Sequence, residues 1–256
     1  MNVWGESCVD RAIDRIRLME PSEGYILCQS GGKDSTVLEQ IAVEAGVSFE
    51  SHHHVTTIDP PEVIRYLRKN YPDTIFDKPH HGMSFAQRVG LKGYPTRRTR
   101  WCCDEFKERS HGGRVLLMGL RAAEKRQSGR VHMTRICYRT GERAVNPLFD
   151  WTDYEIWSFI ESRDLPYCAL YDEGWDRVGC VCCPFASVEE RLRSWQRWPG
   201  MFRAIFRGFQ KRWETHWIHT DYIYRCHGPA ELFTNWMLGK GVPRREWKAL
   251  LRSRND

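Results

Sequence analysis

Apolar and polar positions along this chain switch between a period near 3.6 and a period of 2, and the switches mark its elements. Val9, Ala12, Ile13, Ile16 and Leu18 recur at helical spacing and predict an amphipathic helix over 6–19. An apolar run at 24–29 reads as a short strand. A glycine-containing turn separates it from a helical stretch, 35–45, that Gly46 ends. SFESHHHVTT (48–57) reads as a second strand, and Pro60-Pro61 opens the helix PEVIRYLRKN, since proline fits a first helical turn. A third, short strand is predicted at 74–77, and helices at 84–91 and 103–110. Val115 to Met118 has the character of a buried strand, stopping at Gly119.

Strand and helix alternate through this first half. That order predicts an α/β fold: a parallel twisted sheet with helices on both faces, Rossmann-like. Such sheets bind ligands at the C-terminal ends of their strands. The turn after the first strand, Thr56-Thr57-Ile58-Asp59 and Gly119-Leu120-Arg121 all follow predicted strands and are expected to line one crevice. Beyond residue 150 the pattern becomes helical. WTDYEIWSFIESRD carries Thr152 as N-cap and Glu155 to complete a capping box. Residues 187–217 form a Trp- and Arg-rich helical region broken at Pro199-Gly200, and GPAELFTNWMLG is a last helix. The expected organisation is an α/β domain over 1–165 and a cysteine loop with a helical C-terminal appendage over 166–256.

Composition narrows the class. The 256 residues are 41% hydrophobic, enough for a core and too much for a disordered chain. No apolar run approaches the roughly 18 residues of a membrane span, and the N-terminus lacks a signal-peptide pattern, so the expected location is cytoplasmic. Ten cysteines are many for such a location and point to metal or redox chemistry where they cluster. The net charge of +6 is uneven: residues 97–143 hold 13 Lys/Arg against 5 Asp/Glu. That excess suits a polyanion, either a nucleotide or a nucleic acid, and also suits a plain solvated basic face.

The turn after the first strand is SGGKDS, Ser30 to Ser35. Glycines let backbone N–H groups approach phosphate oxygens, and the following helix N-terminus adds partial positive charge. Lys33 supplies a point charge; Ser30 and Ser35 supply hydroxyls. Asp34 follows the lysine where a Walker A loop has Ser or Thr. SGGKDS resembles the PP-loop of the adenine-nucleotide alpha-hydrolase-like superfamily. The resemblance is closest to the phosphoadenosine phosphosulfate (PAPS) reductase family. It continues through TTIDPPEVIRYLRKNYP (56–72), GYPTRRTRWCCDEFKE (93–108), GLRAAEKRQSGR (119–130), NPLFDWTDYEIWSFI (146–160) and LYDEGWDRVGCVCCPF (170–185). It implies adenine-nucleotide binding (ATP or PAPS) by Ser30, Gly31, Gly32, Lys33, Asp34, Ser35, Thr57, Asp59, Gly119 and Arg121. Lys33, Asp34 and Arg121 would act in catalysis, with Mg²⁺ as a helper.

Cys102-Cys103 and the Cys180/Cys183 CxxC pair make a four-thiolate set, which by spacing alone suits tetrahedral zinc or an iron–sulfur cluster. The resemblance implies a [4Fe–4S] cluster on Cys102, Cys103, Cys180 and Cys183, with zinc as the alternative. Cys182 is an extra cysteine able to replace a ligand, and a three-cysteine site is also compatible. Cys8, Cys28, Cys137 and Cys168 are read as structural. His52-His53-His54 places His52 and His54 on one strand face, and the triplet too is read as structural.

Two enzymatic chemistries follow from the resemblance. One is reduction of an adenylylated sulfate by a cysteine nucleophile and an electron donor. The segment REWKALLRSRND holds no cysteine, which leaves Cys226 in YRCHGP as the candidate. The other is ATP-dependent adenylylation and thiolation of DNA or tRNA with a sulfur-donor protein, Arg97, Arg98, Arg100 and Trp101 meeting the nucleic acid; the competing reading sets those arginines around the nucleotide or buries Trp101 beside the cluster. A nucleotide-binding regulator is the non-enzymatic reading. Trp195, Trp198, Trp213, Trp217, Trp236 and Trp247 are expected in the core, flanked by a basic face of Arg191, Arg193, Arg197, Arg203, Arg207 and Arg212.

Overall fold

A computed structural model describes residues 7–79, 81–97, 99–123, 131–137, 140–215 and 228–238. Arg98, Trp217, Cys226 and Trp247 lie outside them. The chain divides into two compact units. The first comprises Met1–Val55, Asp59–Lys78 and Glu105–Gly179; the second comprises Thr56–Ile58, Pro79–Asp104 and Cys180–Asp256.

The first unit is an α/β fold on a six-stranded sheet. Its strands are β1 (Tyr25–Cys28), β2 (Phe49–His54), β3 (Ile75–Asp77), β4 (Leu116–Leu117), β5 (Thr134–Ile136) and β6 (Arg143–Val145). Their order is β3-β2-β1-β4-β6-β5, so the strand order reverses between β1 and β4. That is the switch point at which such sheets open a ligand crevice. The sheet is mixed: β5 runs antiparallel to β6, and every other pair is parallel. These two strands were not anticipated. Each has three residues, and β5 is exposed throughout, so it carries no alternation to read.

The helices of this unit are α1 (Cys8–Leu18), α2 (Lys33–Ala45), α3 (Pro61–Asn70) and α6 (Asp153–Ser162). Local chemistry sets their ends. Ser7 and Asp10 form a capping box at α1, and Thr152 and Glu155 form one at α6. Gly46 stops α2 in the left-handed region at φ 70°. One core cluster joins α1, α2 and α6 to a sheet face through Ile16, Leu27, Leu38, Ile41, Leu117, Trp151 and Phe159. Each of these side chains is at most 4% exposed, and burying each contributes about 1.5–3 kcal/mol.

The second unit is mainly helical: α4 (Phe85–Lys92), α7 (Val188–Arg197), α8 (Pro199–Thr215) and α9 (Pro229–Leu238). The two long late helices meet at Trp198, next to the expected break. α4 lies so close to α8 that a side chain at Gly208 would collide with Ala86 O. Phe209 packs against Tyr94, Phe233 and Trp236 with ring centroids 5.0–5.4 Å apart. Trp198 and Trp236 are buried, and Trp236 Nε1 donates to Pro95 O at 2.7 Å. Arg191 is buried as well and donates to Trp236 O at 2.8 Å, so it belongs to this core rather than to a basic face. The short helix α5 (Trp101–Phe106) starts two residues earlier than expected, which places Cys102 and Cys103 in its first turn. Among the described residues no helix is long and apolar enough to cross a membrane.

Candidate functional site

The SGGKDS turn joins β1 to α2 in the first unit. Gly31 sits at φ 75°, and a Cβ there would lie 2.6 Å from Val63 Cγ1, so conformation and space both select glycine. Oxygen atoms face the turn's successive N–H groups. Gly31 N donates to Gln29 Oε1 at 3.0 Å, Gly32 N to Ser30 Oγ at 3.3 Å, and Lys33 N to Tyr171 Oη at 2.9 Å. Ser35 Oγ braces the turn from inside: it accepts from Ser30 N at 3.2 Å and donates to Gly32 O at 2.9 Å. The result is a run of N–H groups at the N-terminus of α2, where the helix dipole favours negative charge.

Gly119 follows β4 and closes against this turn. A Cβ there would stand 3.0 Å from Asp34 O and 3.1 Å from Asp34 C. Arg121 is 1% exposed. It donates through Nε to Asp34, through one terminal nitrogen to Asp153 Oδ1 at 2.8 Å and through the other to Trp151 O at 3.1 Å. Lys33 Nζ lies 3.3 Å from Asp153 Oδ1 and 3.6 Å from Asp34 Oδ2. Burial alone would lower the Arg121 guanidinium, but the charges of Asp34 and Asp153 outweigh it and hold the group above its usual value. Burial likewise opposes ionisation of Asp153, yet the hydrogen bond from Arg121 and the charges of Lys33 and Arg121 depress its carboxyl.

The first unit therefore brings together Ser30 to Ser35, Gly119 and Arg121. Asp59 lies in the same unit, its Oδ2 3.9 Å from His53 Nε2, and His53 Nδ1 is 2.9 Å from Gln29 O at the start of the turn. Thr57 belongs to the second unit. Its φ is 63° and its hydroxyl accepts from Phe85 N at 2.7 Å, at the head of α4. Asp153 and Tyr171 were not singled out from sequence. Both stand in segments that carry the family resemblance, and Asp153 is the first residue of the helix whose capping box was legible.

All four cysteines of the predicted set lie in the second unit and are partly buried. The Cys102 thiol is pushed well above its usual value. A hydrogen bond with Cys103 contributes most, then burial, then the neighbouring Cys103, Cys180 and Cys183. Those causes place the other three sulfurs within electrostatic reach of Cys102, the property a shared cation site requires. Cys182 differs: it is 1% exposed, its φ is 63°, and burial is the main cause of its raised thiol. Arg97 Nε donates to Pro184 O at 3.2 Å, and Arg100 lies 5.4 Å from the Phe185 ring centroid. Trp101 is 7% exposed and stacks on Phe85, which takes its ring out of reach of a nucleic-acid base.

A family model described as the phosphoadenosine phosphosulfate reductase domain matches residues 24–186, more than half of the chain. An uncharacterized protein of Methanocaldococcus jannaschii is 30% identical over 195 residues, covering 68% of this chain and 44% of the relative. The adenosine 5'-phosphosulfate reductase of Allochromatium vinosum is 29% identical over 138 residues, 50% of each chain. The chain thus spans about half the length of these relatives. Among solved structures, a phosphoadenylyl-sulfate reductase of Candida auris in a phosphate complex superposes with a TM-score of 0.53 at 16% identity, covering 70% of this chain and 90% of that one. The FMN adenylyltransferase of Candida glabrata superposes with a TM-score of 0.50 at 13% identity, covering 68% of this chain and 61% of that one. Both structures bear on the fold.

Proposed function

The chain belongs to the phosphoadenosine phosphosulfate reductase family, and on that premise we propose that it binds an adenine nucleotide by its phosphate end at Ser30–Ser35 and acts on it in sulfur chemistry. The observation that carries this reading is the run of N–H groups from Gly31 to Lys33, each aimed at an oxygen atom. Phosphate oxygens compete for the same donors, with Lys33 supplying the counter-charge. Arg121 is locked between two carboxylates and buried. Its role is to position Asp34 and the first turn of α2, rather than to touch the anion. Gly119 lets the β4 end approach that turn. The backbone and Lys33 thus bind and orient, and the pairing of Lys33 with Asp153 tunes how much positive charge faces the nucleotide.

Cys102, Cys103, Cys180 and Cys183 are proposed to hold an iron–sulfur cluster. Four soft thiolates suit iron–sulfur and zinc alike. The choice of the cluster over zinc rests on the likeness of the RWCCDEFK and GCVCCPF segments to cluster-bearing members of the family. When bound, such a cluster supplies redox-active and Lewis-acidic iron together with inorganic sulfide.

The test is product analysis on anaerobically reconstituted protein offered ATP, adenosine 5'-phosphosulfate or PAPS. Sulfite release supports reduction of a sulfonucleotide. Pyrophosphate release that needs added DNA or tRNA supports thiolation. Binding without any product supports the regulator reading, and no binding of any of the three contradicts the nucleotide site itself.

A further inference from the structure

His52 and His54 point from one face of β2, and the parallel register pairs His54 with Asp77 at the end of β3. Oδ2 of Asp77 lies 2.9 Å from His52 Nδ1 and 3.5 Å from His54 Nε2. A third imidazole reaches the same place from far along the chain: His111 Nε2 is 2.8 Å from His54 Nε2. One ligand atom each from His52, Asp77 and His111 lie within 4.8 Å of one another. Tetrahedral zinc with nitrogen and oxygen ligands holds them about 3.3 Å apart, close to the His54–Asp77 separation of 3.5 Å and wider than the 2.8 Å between His54 and His111.

The surrounding contacts orient these rings. His54 Nδ1 lies 2.6 Å from Lys107 O. A carbonyl accepts only, so Nδ1 carries the proton and Nε2 presents a lone pair. The turn bearing His111 is tied down by Glu142 Oε1, which accepts from Ser110 Oγ at 2.8 Å, His111 N at 2.5 Å and Gly113 N at 3.1 Å. On the other side of the His52 ring, Nε2 lies 3.6 Å from Glu50 Oε2, so the ring is held between Asp77 and Glu50. A carboxylate, the His52 Nδ1 beside it and two further imidazole nitrogens face to face form a donor set rather than an ordinary core packing.

We propose that His52, His54, Asp77 and His111 form a binding site for a late first-row divalent cation of the zinc class, built from none of the residues of the SGGKDS turn or the thiol set. Imidazole and carboxylate together suit this class of metal. Bound there, the cation ties the turn before β4 to the ends of β2 and β3. The competing arrangement is a metal-free N–H···N hydrogen bond from His111 to His54.

The test uses the full chain, purified anaerobically so that iron is measured in the same sample. After dialysis against a chelator, zinc is titrated in and bound metal is counted by mass spectrometry. Uptake of one zinc per chain, retained in Cys180→Ser and reduced at least tenfold in affinity in His111→Gln with iron content unchanged, is the expected result. Truncating buried imidazoles can unfold a chain, so cobalt is titrated into the native sequence as a second measurement. Visible d–d bands without a thiolate-to-cobalt charge-transfer band are expected. No zinc uptake by the native chain, uptake unaffected in His111→Gln, or a cobalt spectrum dominated by thiolate charge transfer would overturn the assignment.

Discussion

The Lys33 ammonium lies 3.3 Å from Oδ1 of Asp153, and that same oxygen accepts from Arg121 at 2.8 Å. One carboxylate thus restrains the cation proposed to meet phosphate and helps hold the buried guanidinium beneath it. Asp153→Asn should release Lys33 while leaving Arg121 its bond to Asp34. Asp153 is 64% exposed at its side chain, so the stability cost is expected to stay below about 1 kcal/mol. Nucleotide affinity should rise by up to about fivefold, the same energy range expressed as binding. Calorimetric titration with ATP and PAPS reads the affinity; weakened binding would show that Asp153 helps hold the ligand rather than competing for Lys33.

Gly119→Ala tests the closeness of β4 to the turn. The added carbon meets backbone atoms of Asp34 at 3.0 and 3.1 Å, which cannot rotate away. The substitution should cost about 1–3 kcal/mol and displace the first turn of α2. A loss of nucleotide affinity larger than the loss of stability is expected, read by titration alongside chemical denaturation.

Cys180→Ser and Cys182→Ser separate the proposed ligands from their neighbour. Iron and acid-labile sulfide should be lost in the first variant. They should remain in the second, because Cys182 is 1% exposed, whereas the four proposed ligands are only partly buried. Equal iron in both variants would remove Cys180 from the ligand set.

Acid stability has a defined sign at one pair. Arg15 donates to both Asp150 oxygens at 2.7 Å. Burial would raise the Asp150 carboxyl, but the hydrogen bond and charge of Arg15 outweigh it and depress it. A depressed carboxyl stabilises the fold above its unfolded value, about 3.9, and loses that contribution as pH falls through the folded value. Arg15→Gln should therefore cost about 1 kcal/mol near neutrality, with the difference shrinking in acid. Denaturation midpoints of both proteins across pH measure it.

Much of the fold was legible because its signals are local. Gly46 and the Thr152–Glu155 box act within one helical turn, so spacing along the chain is enough to read them. SGGKDS was legible for the same reason, with every component in one turn. Cys102 and Cys180 were paired by their clustering with other cysteines and by the resemblance rather than by proximity in sequence. What escaped was set by register or long-range packing. β5 and β6 have three residues each, and β5 is exposed throughout, so neither shows a period. Tyr171 caps Lys33 N from 138 residues away. The histidine triplet reads as structural until the β2–β3 register sets Asp77 beside His54 and the turn before β4 delivers His111.

The central claim is that the Ser30–Ser35 turn holds the phosphates of an adenine nucleotide. Its most direct measurement is the affinity of the native chain and of Lys33→Ala for ATP and for PAPS under identical salt. Saturable binding of at least one nucleotide by the native chain, weakened about tenfold or more in Lys33→Ala as expected for loss of a charge-assisted contact of about 1.5–3 kcal/mol, is the predicted result. Undiminished binding of both nucleotides by Lys33→Ala would contradict it.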